Sequence, residues 1–99
     1  MRDEARLFLQ AIKNNSEGEL LRYADEFLSY FHRLHDQYGI TRSTSPRFSG
    51  KTFIILEDII YELESHPEET LKSPSSREFI VDVLEDIANG RIILQQRKS

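Results

Sequence analysis

His32 and His35 stand three residues apart in a segment of helical period, with Asp36 beside them. One helical turn brings two imidazoles to one side, the geometry of half a zinc site. A third or fourth ligand must come from elsewhere, and His66 is the only other histidine. Helical di-iron sites draw on Glu-x-x-His pairs, and this sequence has none. The pair is therefore expected on an exposed polar face, with no metal and no cofactor.

Ser49-Gly50-Lys51-Thr52 ends like a phosphate-binding loop. The full pattern, G-x-x-x-x-G-K-[ST], needs glycines so that backbone amides can approach the phosphates. Its first glycine position is Ser45 here, and no strand is expected before it, so the segment reads as a linker entering a helix. Ser45-Pro46 and Ser73-Pro74 match proline-directed phosphorylation sites, but a serine that caps or turns before a proline at the first helical position is the commoner arrangement. Absence of cysteine removes disulfides, cysteine–zinc sites and a thiol nucleophile. No serine, base and orienting acid are arranged as a triad, and carboxylates on solvated positions lack the burial that tunes them for acid–base work. The sequence is not expected to encode an enzyme.

Charge is the strongest remaining signal. Residues 1–51 carry eight basic and seven acidic side chains, net +1. Residues 52–90 carry ten acids against Lys72 and Arg77, net −8. Arg91, Arg97 and Lys98 bring the total to −4. Glu57, Asp58, Tyr61, Glu62 and Glu64 are expected on the outer side of one helix, and Asp82, Glu85 and Asp86 on the outer side of the next. Such a face repels phosphate backbones and attracts basic proteins. A tyrosine among charges is a common interface anchor. These eight residues form the expected partner-binding surface. The basic cluster Arg42, Arg47 and Lys51 with Phe48 lacks the aromatic series of a nucleic-acid groove.

The elements that must position these residues follow from hydrophobic period. Ala5, Phe8, Leu9 and Ile12 mark a helix over about 3–13. Ser16 and Glu19 have capping-box spacing, opening a second helix that runs to about Tyr38 on Leu20, Ala24, Phe27, Phe31 and Leu34. Gly39 is placed to close it in the left-handed conformation. A linker spans 41–50. A third helix, about 51–64, carries Phe53, Leu56, Ile60 and Leu63 with Ile55 and Ile59 beside them, and its wide apolar face predicts a central position. Pro67 permits a short extra turn through Leu71. Ser73-Pro74 and the Ser75/Glu78 pair signal a fourth helix on Phe79, Ile80, Val83, Leu84 and Ile87, stopped by Asn89-Gly90. Ile92-Ile93-Leu94 is apolar enough to pack, as strand, turn or docking segment.

The predicted fold is all-α: an antiparallel bundle of about four helices, one domain over 1–99, with a long 41–50 linker and a short C-terminal tail. No apolar run approaches the ~20 residues of a membrane span, and the start, with Asp3 and Glu4 ahead of only Leu7-Phe8-Leu9, does not read as a signal peptide, so a cytoplasmic protein is expected. The functional expectation is a protein-binding module, most concretely a small acidic inhibitor of the immunity or antitoxin type that neutralises a basic partner such as a nuclease toxin, without binding nucleic acid itself. The alternative is a helical adaptor or regulatory subunit that docks through its tail or linker.

Overall fold

The computed structural model describes residues 2–15, 17–48 and 51–96. The Ser16 half of the capping box, Ser49-Gly50, the side chain of Phe53, and Arg97 and Lys98 lie outside the described residues. The chain is mostly helical. Helix α1 spans Arg2–Asn14, and a short α2, Glu17–Leu20, runs through a 3-10 turn at Leu21–Tyr23 into α3, Ala24–Gln37. Strand β1, Tyr38–Ser43, follows directly. Then come α4 (Thr52–Ser65), α5 (Pro67–Lys72), α6 (Pro74–Ala88) and strand β2 (Ile92–Gln96).

Two features depart from the sequence expectation, and the first of them is not helical. The first three residues of the predicted linker, with Tyr38–Ile40 before them, pair with the apolar tail as an antiparallel two-stranded sheet, Tyr38 opposite Gln96 and Ser43 opposite Ile92, with a bulge between Ile40 and Arg42. The predicted second helix is also interrupted by the 3-10 turn. Gly39 does not close α3. Tyr38 is already extended (φ −121°, ψ 129°), and Gly39 lies within the strand.

The left-handed residue is Gly90, at φ +71°. It closes α6 in a Schellman arrangement: the Gly90 amide donates to the Ile87 carbonyl (3.1 Å) and the Arg91 amide to the Asp86 carbonyl (2.8 Å). Apolar residues often fill the two positions brought together by this motif. Here they are Arg91 and Asp86, which form an ion pair at 3.1 Å. The turn sends the chain back as β2, and the Thr44 amide donates to the Arg91 carbonyl (2.8 Å) to continue the ladder. A side chain at position 90 would be strained at that φ, and its Cβ would lie 3.4 Å from the Arg2 guanidinium. Arg6 donates to the Ala88 carbonyl (3.2 Å), so α1 delivers positive charge to the carbonyl end of α6, where the helix dipole favours it.

The core follows the predicted stripes. Ala5 and Leu9, Phe27, Phe31 and Leu34, Leu56, Ile60 and Leu63, and Ile80, Val83, Leu84 and Ile87 are all buried. Central position is shared: α4 also buries Ile55 and Ile59, and α6 buries one face from Ile80 to Ala88. Core members off those stripes include Tyr30, Ile40, Phe48, Leu71, Ala88 and Ile92. Phe8 bridges α1 to α3, its ring centroid 4.8 Å from Phe27 and 5.1 Å from Tyr30. Arg33 holds the same seam with a two-pronged bond to Glu4 (2.6 and 3.2 Å) and lies 5.9 Å from the Tyr30 ring. Thr70, also buried, donates its hydroxyl to the His66 carbonyl (2.7 Å), with the Glu62 carbonyl at 3.2 Å, tying α5 to the end of α4. Ser73 is the N-cap residue of α6, with Pro74 in the first turn.

Candidate protein-binding face on α4

Helix α4 divides by its own period. Ile55, Leu56, Ile59, Ile60 and Leu63 turn inward, and the intervening positions are exposed. The outermost line is Ile54, Asp58 and Tyr61, spaced four and three residues apart, which is one stripe of a helix surface. Ile54 is 60% and Tyr61 63% exposed. The ridge separates two grooves, one shared with α3 and one shared with α5 and α6.

On the α3 side the carboxylates are taken. His32 Nε2 lies 2.7 Å from Glu64 Oε1, and His35 Nε2 lies 3.3 Å from Glu57 Oε1, with its Nδ1 3.2 Å from Asp36. The two histidines thus turn to separate carboxylates, and Tyr61 borders the same groove. Among the described residues no three His, Asp or Glu side chains converge as metal ligands. His66 stands at the junction of α4 and α5.

On the other side the carboxylates are unclaimed. Asp58 and Glu62, one turn apart, enter no ion pair or side-chain hydrogen bond among the described residues. Like charges at this spacing repel by a few tenths of a kcal/mol. They rim a groove whose floor is Ile59, Phe79 and Ile80 and whose far edge is Thr70, Ser75 and Ser76.

The three acids of α6 behave differently. Asp86 was expected on a solvent-facing surface, yet it is 2% exposed. It accepts from Ser43 Oγ (3.2 Å) and Arg91 (3.1 Å), joining β1 and the residue that leads into β2 to α6. The cause is helix phase: Asp86 falls in the inward sector with Val83 and Ile87, and the chain reversal at Gly90 brings a guanidinium to it. Asp82 is half-buried and bonded to Arg47, which also lies 4.0 Å from Glu78. Glu85 is half-buried. Only the α4 members of the expected surface, Glu57, Asp58, Tyr61, Glu62 and Glu64, stand fully at the surface.

Arg47 and Phe48 of the basic linker are docked on α6. Phe48 is buried and meets Phe79 edge-on at 5.6 Å. A strand does precede the Ser49-Gly50-Lys51-Thr52 segment, against expectation, but it belongs to an antiparallel pair. Two amides of the loop are used internally, Phe48 to the Ser45 carbonyl (3.2 Å) and Lys51 to the Phe48 carbonyl (2.9 Å). They are therefore not turned toward a phosphate. The Ser45 amide donates to the Ser43 hydroxyl oxygen (3.2 Å).

Ile54 was missed as a surface residue. Its phase carries the signal, since 54 and 61 are seven apart and both fall outside the buried set. Among the described residues no helix is long and apolar enough to cross a membrane. Comparison with protein-family models, with curated proteins and with solved structures finds no match.

Proposed function

We propose that the chain is a non-enzymatic protein-binding module, most concretely a small acidic inhibitor of the immunity or antitoxin type that acts in the cytoplasm on a basic protein such as a nuclease toxin. The observation that carries this reading is the α4 ridge: an exposed tyrosine next to two carboxylates that enter no ion pair among the described residues. An aromatic anchor provides buried contact area at an interface, and unpaired acids steer a basic partner and raise its association rate. The net charge of −8 over residues 52–90 extends that field.

The test is capture of a basic protein from lysate of the source organism, at low and then high salt. The wild-type chain should retain a basic protein that salt releases. Tyr61→Ala and the pair Asp58→Lys/Glu62→Lys should lose it with their unfolding midpoints unchanged. Equal retention by all three would refute the reading. A second reading, an adaptor docking through its tail, has in its favour that Ile93 on β2 is 49% exposed. Against it, Ile92 belongs to the core and the linker residues Arg47 and Phe48 are engaged with α6.

A further inference from the structure

We infer that the groove between α4 and α6 receives an arginine side chain of the basic partner. The inference rests on the protein-binding reading and adds to it the chemistry of one contact. The groove encloses about 200 Å³, below the roughly 300–1,000 Å³ of sites for drug-sized ligands, and so suits a single long side chain. Its floor of Ile59, Phe79 and Ile80 is apolar, which matches the three methylenes of an arginine stem. Its rim bears Asp58 and Glu62, two carboxylates one turn apart without partners among the described residues. A guanidinium has planar donors that can serve two carboxylates at once and a face that stacks on an aromatic ring, whereas an ammonium offers only a compact point charge.

The chain displays this chemistry within itself, close to the groove, at Arg47. Arg47 reaches the neighbouring acids of α6, bonded to Asp82 and 4.0 Å from Glu78. Its guanidinium carbon lies 5.9 Å from the Phe48 ring, which in turn packs edge-on against Phe79. Phe79 therefore has an internal arginine–aromatic pair beside it and an open acidic groove that it also lines. The open groove has the same components, aromatic floor and carboxylate rim, without the arginine.

The probe is Nα-acetyl-arginine N-methylamide, titrated into the full chain and followed by amide chemical shifts in two-dimensional NMR. Lysine and norleucine amides serve as comparisons. Saturable shifts should be confined to residues 58–62, 70 and 75–80. Asp58→Asn/Glu62→Gln should weaken arginine binding by about fivefold, the scale of one exposed ion pair, with the remaining spectrum unchanged. Equal affinity for all three amides would overturn the inference, because the floor alone would then be binding. Unsaturable shifts spread over Glu57, Glu68 and Glu69 would also overturn it, as diffuse charge attraction. The two claims separate cleanly. If arginine binds the groove but no basic protein is ever captured, the inhibitor reading falls and the groove stands. If a basic protein is captured and its affinity ignores Asp58→Asn/Glu62→Gln, the groove assignment falls and the inhibitor reading stands.

Discussion

Replacing Asp86 with alanine separates a structural acid from a binding one. The carboxylate is 2% exposed and accepts from Ser43 and Arg91. Arg91 has a half-exposed side chain, so water can take over its lost partner, and that bond contributes no more than about 1 kcal/mol. Ser43 cannot be rehydrated so easily: it is also 2% exposed, and its hydroxyl loses its acceptor. A buried donor left unsatisfied costs about 1–3 kcal/mol. The expected sum for Asp86→Ala is about 2–3 kcal/mol, which for a chain of this size lowers the melting midpoint by roughly 10–20 °C. Asp86→Asn keeps an acceptor for Ser43 and should cost about half as much. Urea titration gives the free energy, and amide hydrogen exchange gives its location. Exchange should quicken first in β1 and β2, the elements this acid holds to α6. A cost below about 0.5 kcal/mol, the range of an ordinary surface substitution, together with weakened partner binding, would refute the reasoning and return Asp86 to the partner-binding surface.

Burial pushes the Tyr30 hydroxyl well above its ordinary value of 10.0, helped by the Glu4 charge and opposed by Arg33. A pKa raised on folding gives stability that is complete below pH 10 and declines as pH rises above it, with a limiting slope of about 1.4 kcal/mol per pH unit for one proton. Tyr30→Phe should flatten that alkaline decline in urea titrations run from pH 9 upward, and an identical decline would rule out this tyrosine as its source. Deleting residues 91–99 removes Ile92 from the core and strips β1 of its partner. The shortened chain should lose at least about 3 kcal/mol, on the scale of a large-to-small core substitution. A shortened chain with unchanged stability but no partner binding would favour the adaptor reading instead.

The helices were legible because their evidence is local. Phe27, Phe31 and Leu34 recur on one face whatever lies opposite, and Ser73-Pro74 and Asn89-Gly90 mark their boundaries within a few residues. The α4 part of the proposed binding face was legible for the same reason: once Leu56, Ile60 and Leu63 are inward, Asp58, Tyr61 and Glu62 must be outward. Period alone also exposes Ile54, although a single apolar residue between Phe53 and Ile55 is easily counted with its neighbours.

The α6 part was not legible. Asp82 and Asp86 carry the same residue type, and their fates depend on residues far along the chain. Arg47 comes to Asp82, and Ser43 and Arg91 close over Asp86. The sheet escaped for a related reason. Tyr38–Ser43 is mostly polar and Ile92–Gln96 is short, so neither shows a strand's alternation by itself, and each becomes a strand by finding the other. The sequence by itself determined a mostly helical chain with an acidic second half and a tyrosine among its acids, since helical period and charge are read within a few residues. Only the tertiary structure decided which acids remain free, because a carboxylate is neutralised by whichever cation the fold brings within about 4 Å, and that cation can come from anywhere in the chain.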